Sequence, residues 1–389
     1  MTTRNACKRS IVAAISVLAI AAGCSSSKPS SSGTNTTTSI ASADSAPYAK
    51  PGPYAVGFTT LHLAGGRRMV VWYPADRATT AGHAQESIDL SSMLSPSLQA
   101  KIPAGDRVKY PANAFENAPP ANQPGKYPIV MFSHGFAGFP EQSVTLTTHL
   151  ASWGFVVAAP DHVERSLDGL LGTATQGVAK STDVAVLQAA LAAVEKASRE
   201  PGVLQGMADP DRVVAAGHSA GAGAAYQFAS ADPRVKAWIS YSVGFGGEGG
   251  PAPAAPQKPG MVMLGTADGI IPAAQSVKVY NGMNTPKYLV KVGGAGHLVF
   301  SDICLIGRSK GGVIGIVKAI NLPIPAELLK LGSDGCNKPH PLVETAFPAI
   351  NHLSVGFFRW ALHIDPQPVG LDTEAVAGLG GDVTVIHEG

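Results

Sequence analysis

Short apolar runs bounded by turn residues recur along the chain from about Tyr48 onward. They are Ile129-Val130-Met131-Phe132, Phe155-Val156-Val157-Ala158, Val213-Val214-Ala215-Ala216, Met261-Val262-Met263-Leu264 and Tyr288-Leu289-Val290. A run with no polar alternation reads as a strand covered on both faces, the pattern of a parallel sheet between layers of helix. Between two of them, Val184, Leu187, Leu191 and Val194 recur at three- and four-residue spacing after Ser181, which predicts a crossover helix with Ser181 as its N-cap. The predicted class is α/β, with a mostly parallel central sheet and helices on both faces.

Ahead of these runs, Phe58 to Leu63 and Met69 to Tyr73 flank Gly65-Gly66, predicting a hairpin that extends one sheet edge antiparallel. A single domain is expected over 48–389. Three excursions are expected to decorate it: about 76–126, rich in Pro and Ala; 244–260, almost wholly Gly, Pro and Ala; and 304–336. Within the last, the apolar stretch Gly312 to Leu331 is expected to pack under a cap; an acyl-binding wall or membrane contact is the alternative.

The N-terminus changes the picture. Residues 1–23 have a basic start, an apolar run from Ile11 to Ala22 too short to span a bilayer, and then Ala21-Ala22-Gly23-Cys24. Small residues before a cysteine resemble a bacterial lipobox, so Cys24 is the expected lipidation site; a plain secretory peptide is the alternative. Residues 24–47 form a Ser/Thr-rich tract suited to a tether. The protein is thus expected outside the cytoplasm, held to the membrane by lipid or secreted. Of four cysteines, Cys7 leaves with the signal and Cys24 takes lipid, leaving Cys304 and Cys336 as an expected disulfide rather than two buried thiols. Removing Arg4, Lys8 and Arg9 from the 29 basic residues leaves them nearly balanced by 27 acidic ones. No basic cluster interleaved with aromatics supports a nucleic-acid partner.

The candidate chemistry centres on Gly217-His218-Ser219-Ala220-Gly221, set between the run Asp211 to Ala216 and a small-residue helix beginning Ala220-Gly221-Ala222-Gly223. A sharp strand-to-helix turn needs glycine on both sides and lifts Ser219 clear as a nucleophile. His218 is expected to point away and pack. Oxyanion donors are expected from the N–H groups of Ala220 and Phe136, the latter in His134-Gly135-Phe136 at the end of the strand Pro128 to Ser133, with His134 bracing the loop. His134 as a metal ligand has no partner at metal-site spacing.

Downstream, the run ending at Leu264 leads through Gly265-Thr266-Ala267 to Asp268, and Lys287 to Val292 leads through Gly293-Gly294-Ala295-Gly296 to His297. The order Ser, acid, His makes His297 the general base and Asp268 its orienting acid. Asp302 and Asp161 are the competing acids and His162 the competing base. Asp302 follows the histidine, and Asp161 and His162 come too early, so Asp161 and His162 are expected to line or brace the pocket. Tyr241 and Phe245, together with His134 and His162, are the candidate pocket residues.

Met131 to Phe136, Leu150 to His162, Ser219, Asp268 and Gly296 to Asp302 resemble the corresponding stretches of platelet-activating-factor acetylhydrolases and chlorophyllase-like bacterial esterases, over roughly residues 127 to 303. The resemblance implies an α/β-hydrolase fold and a Ser-His-Asp triad that hydrolyses acyl esters without calcium, another metal or an organic cofactor. Ala220 departs from the family pattern, and the Cys304 to Cys336 loop is not carried over from it. Dienelactone hydrolases share the fold with a cysteine nucleophile, so Ser219 argues against that activity. The expected function is a serine esterase or lipase acting on a lipid-like or short-acyl ester. A non-catalytic surface lipoprotein, an acyltransferase and a polyester hydrolase are the alternatives.

Overall fold

The apolar runs are strands. The computed structural model describes residues 45–122, 125–172, 177–245, 253–319 and 321–389; the expected signal segment, Cys24 and most of the tether lie outside the described residues. The strands are β1 (Ala55–His62), β2 (Arg68–Ala75), β3 (Gln85–Asp89), β4 (Lys109–Glu116), β5 (Tyr127–Ser133), β6 (Val156–Pro160), β7 (Ala208–His218), β8 (Val235–Tyr241), β9 (Gly260–Gly265), β10 (Lys287–Val292) and β11 (Val383–Glu388). They form one sheet in the order β11-β10-β9-β8-β7-β5-β6-β2-β1-β4-β3. From β10 to β6 all neighbours are parallel, and antiparallel pairs close both ends.

Side chains alternate across these strands, so a continuous apolar run supplies two cores at once. The helices are α1 (Val144–Ser152), α2 (Leu167–Leu171), α3 (Asp183–Arg199), α4 (Ala220–Ala231), α5 (Ala273–Asn281), α6 (Gly312–Ala319), α7 (Ala326–Leu331) and α8 (Phe347–Ala361). On one face Val130, Phe132, Val214 and Ile239 pack with Leu150 of α1 and Leu353 and Phe357 of α8. On the other, Ile129, Met131, Val213 and Trp238 pack with Leu187 and Leu191 of α3 and Phe228 of α4. Thr182, not Ser181, caps α3, its hydroxyl accepting from the Ala185 N–H.

The Gly65-Gly66 hairpin forms as expected, with Phe58 opposite Trp72 and β2 against β6. The 76–126 excursion does more than decorate: it contributes β3 and β4 to the sheet edge, joined with a register shift between Gln85 and Ser87. The 244–260 stretch lies partly outside the described residues. Tyr48 is already buried, and its hydroxyl donates to Asp365 at 2.5 Å.

The chain order places the site. After β5 the chain moves outward to β6, then returns to β7 on the other side of β5. In an open parallel sheet such a reversal leaves a crevice at the carboxyl ends of the two strands. Ser133 at the end of β5 stands in register with Gly217 at the end of β7, so the loops that follow meet there.

Candidate active site

Ser219 sits at the turn from β7 into α4 with φ 59° and ψ −121°, a backbone conformation costly for a residue with a side chain. Its N–H donates to the Tyr241 carbonyl at 2.9 Å, which ties the turn to β8. The flanking glycines are required by contact. A Cβ on Gly217 would meet the Gly221 carbonyl, and one on Gly221 would meet the Ser133 carbonyl. The small residues of the first turns of α4 let it rise directly from the strand.

His297, fully buried, follows β10, and its Nδ1 lies 2.9 Å from Asp268 Oδ2 after β9. The second Asp268 oxygen accepts from the Ile270 and Ile271 N–H groups at 2.9 and 2.8 Å. Burial works against the Asp268 charge, but the hydrogen bond and charge of His297 and the two N–H groups outweigh it and hold the carboxyl below its ordinary range. A carboxylate there requires Nδ1 to carry the proton, which leaves Nε2 as the basic nitrogen. That Nε2 is buried and without a hydrogen-bond partner among the described residues.

Ser219, His297, Gly135 and Phe136 line a cavity of about 420 Å³. Among the described residues neither the Phe136 nor the Ala220 N–H donates to a backbone carbonyl outside the helices and strands, so both can serve an oxygen bound beside Ser219. Phe136 itself is 43% exposed at the cavity. The remaining wall is mostly apolar, with Ser91, Gln142 and His218 its polar members, and among the described residues it carries no Asp, Glu, Lys or Arg: Leu90 and Ile102 come from the first excursion, Leu170 from α2, and Val313, Ile316 and Leu328 from the last. The Gly312 to Leu331 stretch is therefore a cavity wall as well as packing, because α6 and α7 turn apolar faces toward the site. The expected bridge is present between Cys304 and Cys336 and closes this segment.

Four expected pocket residues do not line the cavity. Tyr241 is fully buried on the α8 face of the sheet, its hydroxyl 2.8 Å from Ser354 Oγ. Phe245 turns to the opposite face and packs its ring 5.0 Å from that of Tyr226. His134 and His162 are buried beneath the loop after β5. His134 Nε2 accepts from the His162 N–H at 3.0 Å while Nδ1 faces the Gly135 carbonyl at 2.8 Å, so His134 braces that loop. His162 Nε2 contacts Ser133 Oγ at 2.9 Å, and burial, followed by the Arg165 charge, drops its pKa to about 3. The competing acids are also engaged elsewhere. Asp161 lies 3.6 Å from His134, and Asp302 accepts from the Thr145 N–H at 2.9 Å and from Tyr110 at 3.1 Å.

Three polar residues of the site were not singled out from the sequence. Gln142 Oε1 accepts from the Gly135 N–H at 2.9 Å, and its Nε2 lies 2.9 Å from His218 Nδ1. Arg165 grips the loop after β5. Asp334 Oδ1 accepts from the His297 N–H at 2.6 Å and the Gly269 N–H at 3.2 Å, joining the His297 loop to the Asp268 loop. His218 does not point away, as expected, but contacts His297. Among the described residues no group of three His, Cys, Asp or Glu side chains is arranged to hold a metal ion.

Comparison with known proteins agrees with the fold. The family model described as platelet-activating factor acetylhydrolase, isoform II, matches residues 41–171, and the dienelactone hydrolase family matches residues 115–300. The second span contains Ser219, Asp268 and His297; the first contains the loop after β5. A ferulic acid esterase from Streptomyces cinnamoneus has a similar structure, with a TM-score of 0.56 and 22% sequence identity over 86% of this chain and 97% of that one.

Proposed function

We propose that this chain, whose fold is that of an α/β-hydrolase, is a carboxylic-ester hydrolase that cleaves uncharged esters with a bulky apolar group through a Ser219-His297-Asp268 triad. The observation that carries the reading is the buried, unpartnered Nε2 of His297 on the cavity wall it shares with Ser219, with its other nitrogen held by buried Asp268.

In the proposed cycle His297 Nε2 takes the Ser219 hydroxyl proton as Oγ attacks the ester carbonyl. The carbonyl oxygen becomes an oxyanion and receives the N–H groups of Phe136 and Ala220. Collapse breaks the bond to the alcohol oxygen, which leaves with the proton from His297, and an acyl-Ser219 remains. Water then gives its proton to His297 and its oxygen to the acyl carbon, and the acid departs as Ser219 recovers the proton. Asp268 stays ionised throughout and stabilises the imidazolium. The substrate reading is supported by a wall that, among the described residues, has no charged side chains and would leave a charged group near the ester unpaired.

Export and lipid anchoring at Cys24 belong to the same proposal; the short apolar run followed by Ala21-Ala22-Gly23-Cys24 supports them. A fluorophosphonate probe tests the catalytic reading. Labelling of the native protein that disappears in Ser219→Ala is the expected result; an unreactive native protein would leave the non-catalytic alternative standing.

A further inference from the structure

Accepting Ser219 as the nucleophile, the oxyanion hole depends on how firmly the Phe136 N–H is aimed, and the residue that aims it lies outside the cavity wall. The Phe136 N–H belongs to the same peptide group as the Gly135 carbonyl. In a trans peptide, as this one is, the two point in opposite directions. Whatever holds the Gly135 oxygen therefore fixes the direction of the Phe136 N–H.

The Gly135 oxygen is held by an unusual convergence of donors. Arg165 Nη1 donates to it at 2.9 Å, His134 Nδ1 at 2.8 Å and the Gly138 N–H at 3.2 Å. The same Nη1 also donates to the His134 carbonyl, and Nη2 donates to Ser133 Oγ at 2.9 Å. One guanidinium thus engages three consecutive residues of the loop. Its backbone joins in, since the Arg165 carbonyl accepts from the Ala137 N–H at 2.7 Å. Arg165 is itself buried and anchored by Asp183, whose carboxylate oxygens lie 3.2 and 3.3 Å from Nε. His162, between them, reaches Ser133 with Nε2 and approaches Asp183 with Nδ1 at 2.7 Å.

We infer that Arg165 is a positioning residue for ester hydrolysis, which orients the Gly135–Phe136 peptide and polarises it so that the Phe136 N–H becomes a stronger donor to the oxyanion. A cation on the carbonyl side draws electron density from the amide nitrogen, and donors in series reinforce one another in a buried setting. The planar fork matters as much as the charge, because only a guanidinium reaches several oxygens in one plane. Arg165 contacts neither substrate nor reacting atoms. Its effect should therefore be confined to states that carry negative charge on the substrate oxygen, with ground-state binding little changed.

The test compares Arg165→Met, Arg165→Gln and Arg165→Lys with the native protein, using a p-nitrophenyl ester and a trifluoromethyl ketone that forms an oxyanionic adduct with serine. Fluorophosphonate titration counts competent sites, so that kcat is expressed per site. Per-site kcat is expected to fall about tenfold to a hundredfold in the Met and Gln variants, with KM within about threefold. Trifluoromethyl ketone affinity should fall in parallel, and the Lys variant should lie between. If Arg165→Met does not fold, the Gln and Lys variants decide. Native per-site kcat and ketone affinity in both, or a loss of sites with kcat per site unchanged, would overturn the inference. A native protein that neither labels nor turns over would instead remove the triad reading on which it rests.

Discussion

His218 Nε2 donates a hydrogen bond to the backbone carbonyl of His297 at 2.9 Å, with the two rings 4.7 Å apart. The residue beside the proposed nucleophile therefore holds the proposed base in place. The assignment is internally consistent: Gln142 accepts from the Gly135 N–H with its oxygen, so its amide donates to His218 Nδ1 and leaves Nε2 carrying the proton. One chain of hydrogen bonds thus joins the Gly135–Phe136 loop to His297.

Breaking that chain should cost turnover without removing the nucleophile. Gln142→Leu leaves a buried Gly135 N–H and His218 Nδ1 unpaired, and kcat is expected to fall about tenfold or more while Ser219 still labels. Burial, and then the neighbouring His297, lower the His218 pKa to about 3, so His218 stays neutral over the working range. A pH–rate profile of a His218→Asn variant should keep the shape of the native one at reduced height; a changed limb would contradict this role.

Asp334 offers a second handle on the base. Asp334→Ala releases the Gly269 and His297 N–H groups together and is expected to lower kcat about tenfold. Asp334→Asn keeps an accepting oxygen and should stay within about threefold of native. Equal rates for the two variants would show that the bridge does not position His297.

The Cys304–Cys336 bridge encloses α6, α7 and Asp334, linking the cavity wall to the His297 loop. A chain closed over 32 residues loses conformational freedom when unfolded, worth roughly 3 to 4 kcal/mol in the loop-entropy model. The Cys304→Ser, Cys336→Ser double variant should therefore melt earlier. It should also show a KM raised more for long-chain than for acetyl esters, since α6 and α7 supply apolar wall to the cavity. Unchanged melting and chain-length preference would contradict both expectations.

Away from the site, Glu86 gives a stability test. Its carboxyl is buried and receives the Trp72 Nε1–H at 2.8 Å, yet burial dominates and pushes its pKa up to about 8. An unfolded glutamate titrates near ~4.3. The group's contribution to stability is thus fully present below that value and is lost as pH rises toward about 8. Glu86→Gln keeps an acceptor for Trp72 without the buried charge. Its melting temperature relative to native should rise by a few degrees between about pH 5 and pH 8, whereas a constant difference would contradict the assignment.

What was legible in the sequence follows from the range of each interaction. The parallel strands announce themselves because both faces of each are apolar, and Ser219, Asp268 and His297 are legible because each closes such a run in a fixed order. The edge strands β3 and β4 escaped because Glu86 and Pro111 interrupt any apolar pattern there. Tyr241 was misplaced by its position near a strand end, where alternation sends its side chain under α8 rather than toward the crevice. Gln142, Arg165 and Asp334 carry no periodic signal at all. Each is a polar loop or near-helix residue whose partners lie 7 to 76, 18 to 32 and 37 to 65 positions away in the chain. Only the folded loops bring them together.

The most direct test of the central claim is the presteady-state hydrolysis of a p-nitrophenyl ester, with the protein quenched in acid and its peptides weighed. A burst approaching one equivalent of p-nitrophenol per protein, with the acyl mass on the peptide containing Ser219 and absent in Ser219→Ala, is the expected result when deacylation limits turnover. Turnover that persists in Ser219→Ala, or an acyl group on a different residue, would contradict the account.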